Sequence, residues 1–271
     1  MSKVWFITGA SSGFGRSLAE EALALGYSVA ATARNTDALA KLVGQAPDRA
    51  VAIRLDVTRP EEIAAAVETT LARFGRLDVA VNNAGYGLIG ALEEVSEAEI
   101  KQMFDTHVFG TMGVIRAALP HMRRQRSGTI INVSSIGGLI GYYGGSIYNA
   151  CKFAMEGMTE ALVEEVRPFG IKVMLLEPGT FRTDFFNRSI RFATPMAAYD
   201  GTPVGERRGM VGDAAEDAPG PEVVAQAILK AEARDDLPLR LMVGADVLQG
   251  AQFKIDSLTH ALEVSKVLSG A

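Results

Sequence analysis

The sequence predicts an α/β fold: a doubly wound parallel sheet with helices on both faces, in a single domain. Three observations carry that expectation. Short β-branched or apolar runs alternate with longer segments of helical period almost from the first residue, which is the pattern of βαβ units. The chain has 271 residues, between one large domain and two average ones, and neither a linker nor an internal repeat divides it. Apolar residues make up 48% and charged residues 22%, which allows a sizeable core and excludes disorder, a collagen-like repeat or a coiled-coil rod.

Taken in order, Lys3 to Thr8 reads as the first strand, and Gly13 to Leu25 as a helix with Leu18, Ala22 and Leu25 on one face and Gly26 as its stop. Tyr27 to Ala33 and Ala50 to Leu55 are the next strands. Thr58 and Glu61 have the spacing of a capping box, opening a helix that ends near Phe74 and Gly75. Leu77 to Val81 is the fourth strand. Ser96 and Glu99 repeat the capping-box spacing and open a long helix towards Arg124, unless Pro120 kinks or ends it. Thr129 to Val133 is a buried fifth strand, followed by a helix from Tyr148 to Val166 and a sixth strand from Ile171 to Leu176. Residues 184 to 220 break the rhythm, with many Gly, Pro, Ala and Asp and no clear period. The pattern resumes with a helix from Glu222 to Arg234, a strand from Leu239 to Val243 and a terminal helical segment.

Charge and composition narrow the function. With 27 basic and 32 acidic side chains the net charge is −5, and the densest basic run, Arg123, Arg124 and Arg126, is too short to track a nucleic-acid backbone. Those cations suit the last turn of a helix, where they complement its dipole. No stretch reaches the ~20 apolar residues of a membrane span, and Met1 to Ala10 lacks the pattern of an export signal. Cys151 is the one cysteine, so no internal disulfide forms and a reducing, cytoplasmic setting is expected. No His, Cys and acid cluster has zinc spacing, so no metal is expected. Trp5, on the first strand, reads as core.

The chemistry begins after the first strand, at Thr8-Gly9-Ala10-Ser11-Ser12-Gly13-Phe14-Gly15. Glycines let a backbone approach a pyrophosphate closely, and the amides and dipole of the following helix favour its charge. A strand before the turn and a helix after it point to a dinucleotide, although the spacing differs from the commoner G-x-G-x-x-G. At the end of the second strand stands Arg34, beside small Ala33. A guanidinium fits a ribose 2′-phosphate better than a hydroxyl, which favours NADP(H). The alternatives are a solvated Arg34 and Asp37 serving as an NAD-type acid.

Tyr148 and Lys152 are four apart and project from one face of a helix. A neighbouring ammonium stabilises a phenolate and lowers its pKa from ~10, so the pair suits a general acid. Ser134 and Ser135 close the preceding strand, where a hydroxyl can bond a substrate carbonyl beside the tyrosine. Cys151, inside the same turn, reads as a small buried apolar residue, with a redox sensor as the alternative.

These motifs resemble the short-chain dehydrogenase/reductase family, in the compact branch whose single domain is a Rossmann-type sheet. The resemblance spans almost the whole chain in six ordered motifs: the TGASSGFG turn, Asp56-Val57, Asn82-Asn83-Ala84-Gly85, Ser135, Tyr148 with Lys152, and Pro178-Gly179-Thr180-Phe181-Arg182-Thr183. It implies that Gly9, Ser11, Ser12, Phe14 and Gly15 hold the cofactor. It places Asp56 and Val57 on the adenine, and Asn83, Ala84 and Gly85 along the nucleotide. Ser135, not Ser134, is then the catalytic serine and Tyr148 the proton donor or acceptor. Lys152 holds the nicotinamide ribose and acidifies Tyr148. Pro178, Gly179, Phe181 and Thr183 belong to the cradle of the nicotinamide carboxamide, and residues 184 to 220 to a substrate lid. One position departs: where the family has an asparagine that supports a water, Phe104-Asp105-Thr106-His107-Val108-Phe109-Gly110 offers His107. An imidazole also holds a water or relays a proton, or it is simply a satisfied core histidine.

The expected function is an NADP(H)-dependent oxidoreductase of the carbonyl reductase type. Its small-molecule carbonyl or alcohol is apolar, since the lid carries Phe185, Phe186, Phe192, Met196, Tyr199 and Met210. Arg188 and Arg191 meet either an acidic group or water. A homodimer or homotetramer is implied by the resemblance, with no nucleic-acid or membrane partner. A nucleotide-sensing module that regulates a partner is the alternative from another class; its mark is a lost triad, and the triad is present. A longer-branch sugar-nucleotide epimerase or dehydratase is disfavoured by the glycine spacing and the short C-terminal part.

Overall fold

Strand β1 (Val4–Ile7) is buried along its whole length, because Trp5 and Ile7 face one layer of helices while Phe6 faces the other. That two-sided burial explains why the sheet reads as continuous apolar runs. The computed structural model describes residues 2–210 and 217–270. Seven strands form one parallel sheet: β1, β2 (Ser28–Ala33), β3 (Ala50–Arg54), β4 (Val79–Asn82), then β6 (Gly128–Val133), β7 (Ile171–Pro178) and β9 (Arg240–Val243). Their spatial order is β3-β2-β1-β4-β6-β7-β9. Trp5 pairs with Val29 on one side and Val79 on the other, so the winding direction reverses between β1 and β4. A crevice opens at the carboxyl ends of strands at such a switch point.

On one face pack α1 (Gly13–Ala24), α2 (Ala40–Gln45) and α8 (Glu222–Glu232), with Leu18, Leu42 and Ile228 at the centre. On the other pack α3 (Pro60–Phe74), α5 (Gly110–Gln125) and α6 (Ser146–Val166), through Ile63, Val114 and Leu162. Trp5 is fully buried and stacks on Tyr27 at 6.0 Å, as a core residue does. Arg123 and Arg124 occupy the last turn of α5, and Arg126 closes it in the left-handed conformation at φ 55°.

Three expectations are corrected. The Thr58–Glu61 capping box does not form: Asp56 Oδ1 takes both the Thr58 amide and its hydroxyl, at 3.0 and 2.8 Å, and α3 starts at Pro60 instead. Proline lacks an N–H that the first helical turn leaves unused, so it supplies the start that Thr58 was expected to give. The long helix after Ser96 does run to Gln125, but not as one regular α-helix: it consists of α4 (Glu97–Phe104), one wide π-type turn at Asp105–Phe109, and α5, which passes through Pro120 without stopping. The Ser96–Glu99 capping box does form, with reciprocal bonds of 3.3 and 2.9 Å. Residues 184 to 210 are not irregular throughout: β8 (Ile190–Phe192) pairs in parallel with β5 (Gly87–Ile89), and α7 (Pro203–Met210) follows. The rest of the expected lid, residues 211–216, lies outside the described residues. The last helix, α9 (Ala245–Ser269), packs by Val247, Gly250 and Ala251 in its first turns. Among the described residues no helix is long and apolar enough to cross a membrane.

Candidate active site

The crevice between β1 and β4 widens into a cleft of about 390 Å³. Its floor is backbone. Gly9 and Gly13 take φ of +67° and +56°, and a Cβ on Gly15 would stand 2.5 Å from the Asn83 amide nitrogen and 2.6 Å from the Gly9 carbonyl oxygen. Asn83 braces this turn by donating from Nδ2 to the carbonyls of Thr8 and Gly9, at 2.9 and 3.1 Å. The Thr8 hydroxyl accepts from the amides of Asn83 and Ala84 in return. Ser12 caps α1 with no side-chain hydrogen bond, so the first-turn amides keep no side-chain acceptor of their own. Ser12, Gly13 and Phe14 line the cleft, Ser11 is exposed, and Phe14 meets buried Phe181 edge-on at 5.7 Å. Pro178, Gly179, Phe181 and Thr183 line it from the end of β7 onward.

Arg34 stands exposed at the end of β2. Burial works against ionisation of Asp56, but bonds from Thr58 and the charges of Arg34 and Arg59 outweigh it and hold the carboxyl below its usual range. Val57 is buried against Gly110 rather than open, with its Cβ 3.0 Å from where a Gly110 side chain would begin. Asp37 is exposed, its amide bonded to Asn35.

Ser135, Tyr148 and Lys152 converge on one wall. Ser135 follows β6, accepts from the Gly137 amide at 3.1 Å, and stands near enough to Tyr148 for its hydroxyl to favour the phenolate. Lys152, one turn along α6, donates to the Val133 carbonyl at 2.7 Å and lies 5.5 Å from the Tyr148 ring centre. The spacing argument has the ammonium acidify the phenol; here burial dominates and pushes Tyr148 up to about 12, with Ser135 pulling down and Cys151 pushing up. Burial likewise drives Lys152 down to about 8, against the opposing pull of Cys151 and Glu156. Burial also raises the Cys151 thiol to about 11, which makes it a core residue and not a reactive one. Behind Lys152 sit the buried carboxyls of Glu156 and Glu177, 3.3 and 3.1 Å from the Arg240 guanidinium. Desolvation and the neighbouring Glu156 push Glu177 up to about 8 against Arg240.

His107 sits on the π-type turn, fully enclosed. Nε2 lies 2.8 Å from the Tyr86 carbonyl, and the ring meets Tyr148 edge-on at 5.8 Å. Desolvation and the Lys152 charge drive it down to about 3, so it is neutral, and its buried Nδ1 has no protein partner. A side chain on Gly85 would collide with it at 2.5 Å, so Gly85 serves the imidazole as much as the cleft.

The far end of the cleft is lined by Leu88, Ile89, Tyr142, Phe185, Ile190 and Arg207. Phe185 is 6.4 Å from the Tyr148 ring. The other large apolar residues of the lid do not join it: Phe192 and Met196 are exposed, and the Tyr199 hydroxyl donates to Glu93. The side chains of Phe186 and Met210 lie outside the described residues. Arg188 is exposed beside Asp184, and Arg191 donates to Gln102 and covers the Tyr86 ring, so neither lines the cleft. Sequence reasoning missed Leu88, Ile89, Tyr142, Ile190 and Arg207. A three-residue strand gives no periodic signal, and α7 has no regular apolar stripe.

Residues 3–192 match the family described as short chain dehydrogenase, and the chain belongs to it. It is a short-chain dehydrogenase/reductase, an oxidoreductase class. It is 37% identical to oxidoreductase BOA17 of Botryotinia fuckeliana, over 99% of this chain and 98% of that one. It is 43% identical to 3-ketodihydrosphingosine reductase of Bacteroides thetaiotaomicron, over 69% of this chain and 68% of that one. A short-chain dehydrogenase structure from Streptomyces avermitilis is 44% identical and superposes with TM-score 0.92, covering 100% of this chain and 98% of that one. A Burkholderia phymatum family member in complex with NAD is 26% identical, with TM-score 0.84 over 96% of this chain and 95% of that one.

Proposed function

We propose that this oxidoreductase is an NADP(H)-dependent carbonyl reductase that also runs as an alcohol dehydrogenase. One observation carries the reading: the hydroxyls of Ser135 and Tyr148 and the ammonium of Lys152 meet on one wall of a cleft whose floor is the glycine turn. The donor set fits a dinucleotide, since the glycine cradle would be filled by any Cβ at Gly15 and the N-terminus of α1 has no side-chain cap. Gly9, Ser12, Phe14 and Gly15 would hold the pyrophosphate side, with Ser11 at the exposed rim. Asp56, Val57, Asn83, Ala84 and Gly85 would follow the nucleoside, and Pro178, Gly179, Phe181 and Thr183 the nicotinamide end. Arg34, exposed and near Asp56, would meet a 2′-phosphate.

When bound, the nicotinamide supplies or takes the hydride. Ser135 donates to the carbonyl oxygen and orients it. Tyr148, held protonated at neutral pH by burial, gives its proton to the forming alkoxide. Lys152 stabilises the resulting phenolate and would reach the nicotinamide ribose. Neutral His107 offers Nδ1 as an acceptor for a water at the inner end of the cleft.

Tyr148→Phe is expected to abolish NADPH oxidation against a ketone and aldehyde panel while nucleotide binding, followed by fluorescence titration, stays within about twofold. Wild-type turnover in that variant takes Tyr148 out of the mechanism. Arg34→Asp is expected to move the kcat/KM preference towards NADH by ~10- to 100-fold, the worth of one charge-assisted contact; an unmoved ratio means that Arg34 does not read the phosphate.

A further inference from the structure

Two adjacent arginines on α7 have opposite fates. Arg208 turns into the protein and pairs with Glu94, whose side chain is 0% exposed and also accepts from the amides of Ala91 and Met196 at 2.7 and 2.8 Å. Glu94 is therefore fully engaged. Arg207, about 100° further round the helix, lines the cleft. Its guanidinium lies 4.5 Å from the Tyr142 ring centre and 5.4 Å from that of Tyr143. Its Nε is buried and makes no hydrogen bond, and no carboxylate pairs with it among the described residues. Among the described residues the one acid in the cleft wall, Asp246, is committed to the amides of Thr180 and Val247. Leu88, Ile89, Phe185 and Ile190, which line the same end, offer no oxygen from their side chains.

A half-buried guanidinium that faces a cleft, with no carboxylate beside it among the described residues, keeps N–H groups available to an anionic ligand. The two tyrosine rings hold the guanidinium in place at the cleft wall, and its fork of N–H groups matches a planar pair of oxygens. Tyr142 in turn approaches the catalytic tyrosine: a Cβ at Gly137 would lie 3.2 Å from a ring carbon of each. We infer that Arg207 binds a carboxylate on the substrate, so that the natural substrate is a keto acid, or the matching hydroxy acid, with the carboxylate separated from the reacting carbonyl by the breadth of the Tyr142 ring. This rests on the carbonyl reductase reading and adds a substrate class to it: the apolar lid expected from sequence becomes an apolar channel with one cationic end.

The test compares keto carboxylates of increasing chain length with their methyl esters, in wild type, Arg207→Gln and Arg207→Lys. In wild type the acid of matching length is expected to exceed its ester in kcat/KM by ~10- to 100-fold, mainly through KM. Arg207→Gln brings the ratio to about one, and Arg207→Lys, which keeps the charge and loses the fork, falls between. An ester reduced as well as its acid by wild type, or a preference that survives Arg207→Gln, overturns the inference while leaving the reductase reading intact. Calorimetric titration of hexanoate into the protein, with and without NADP⁺, keeps the two readings apart. Binding that Arg207→Gln abolishes supports the carboxylate site even if no carbonyl compound is turned over, and absence of binding in wild type counts against it.

Discussion

The floor and the roof of the cleft are built by opposite means. The floor consists of strand ends and glycines, and its groups are main-chain amides and carbonyls held by Asn83 and Thr8. The roof is assembled from segments about a hundred residues apart, with Gly87 paired to Ile190 and Glu94 holding Arg208. The difference teaches that binding of a common cofactor can be left to backbone shape, whereas the substrate end depends on which side chains a distant segment delivers. Function divides the same way: the floor offers main-chain groups to a nucleotide, and the roof delivers Arg207 to the cleft.

Three experiments break or sharpen this contrast. The largest effect is expected at the floor: Gly15→Ala puts a methyl against Asn83 and the Gly9 carbonyl, costs ~1–3 kcal/mol of overpacking, and weakens nicotinamide nucleotide binding by ~10- to 100-fold. Wild-type affinity in fluorescence titration would show that the turn yields. At the roof, Glu94→Gln leaves the Arg208 guanidinium without its anion. The expected result is about a tenfold higher KM for the carbonyl substrate and faster proteolysis within residues 184–210. Nucleotide affinity stays as in wild type; a parallel fall in it would mean that floor and roof are one unit.

The smallest effect lies between them, on the wall. Lys152 is pushed down to about 8 by burial, so it is charged below that pH and neutral above it. Tyr148, at about 12, keeps its proton throughout the same range. Reduction should therefore be flat below about pH 8 and decline by up to ~10-fold for each further unit as Lys152 loses its charge. A kcat/KM profile flat to about pH 9.5 would show that Lys152 does not titrate there.

Much of this was legible before any coordinates. The order of strands and helices follows from alternating periods, and the main helix boundaries from caps such as Ser96 with Glu99. The glycine turn, Tyr148 and Lys152 are recognisable because their spacing is local and tied to one strand end or one helical turn, whereas only the family resemblance separated Ser135 from Ser134. Thr58 misled because a cap is a competition: Asp56 took both its donors two residues earlier. The widening at Asp105–Phe109 was invisible because a π-type turn carries no composition of its own, and here it places His107 under Gly85.

The sequence by itself determined the layering of the sheet, the glycine turn and the candidate proton donor. All of these are written in patterns a few residues long, enforced by backbone sterics and by the burial of alternate side chains. Tertiary structure alone decided how deeply Tyr148 and Lys152 are buried, and hence which way their proton equilibria move. It also decided which of Arg188, Arg191, Arg207 and Arg208 reaches the cleft. Desolvation and pairing depend on what surrounds a group from every side, and those surroundings come from parts of the chain too far apart for any local pattern to encode.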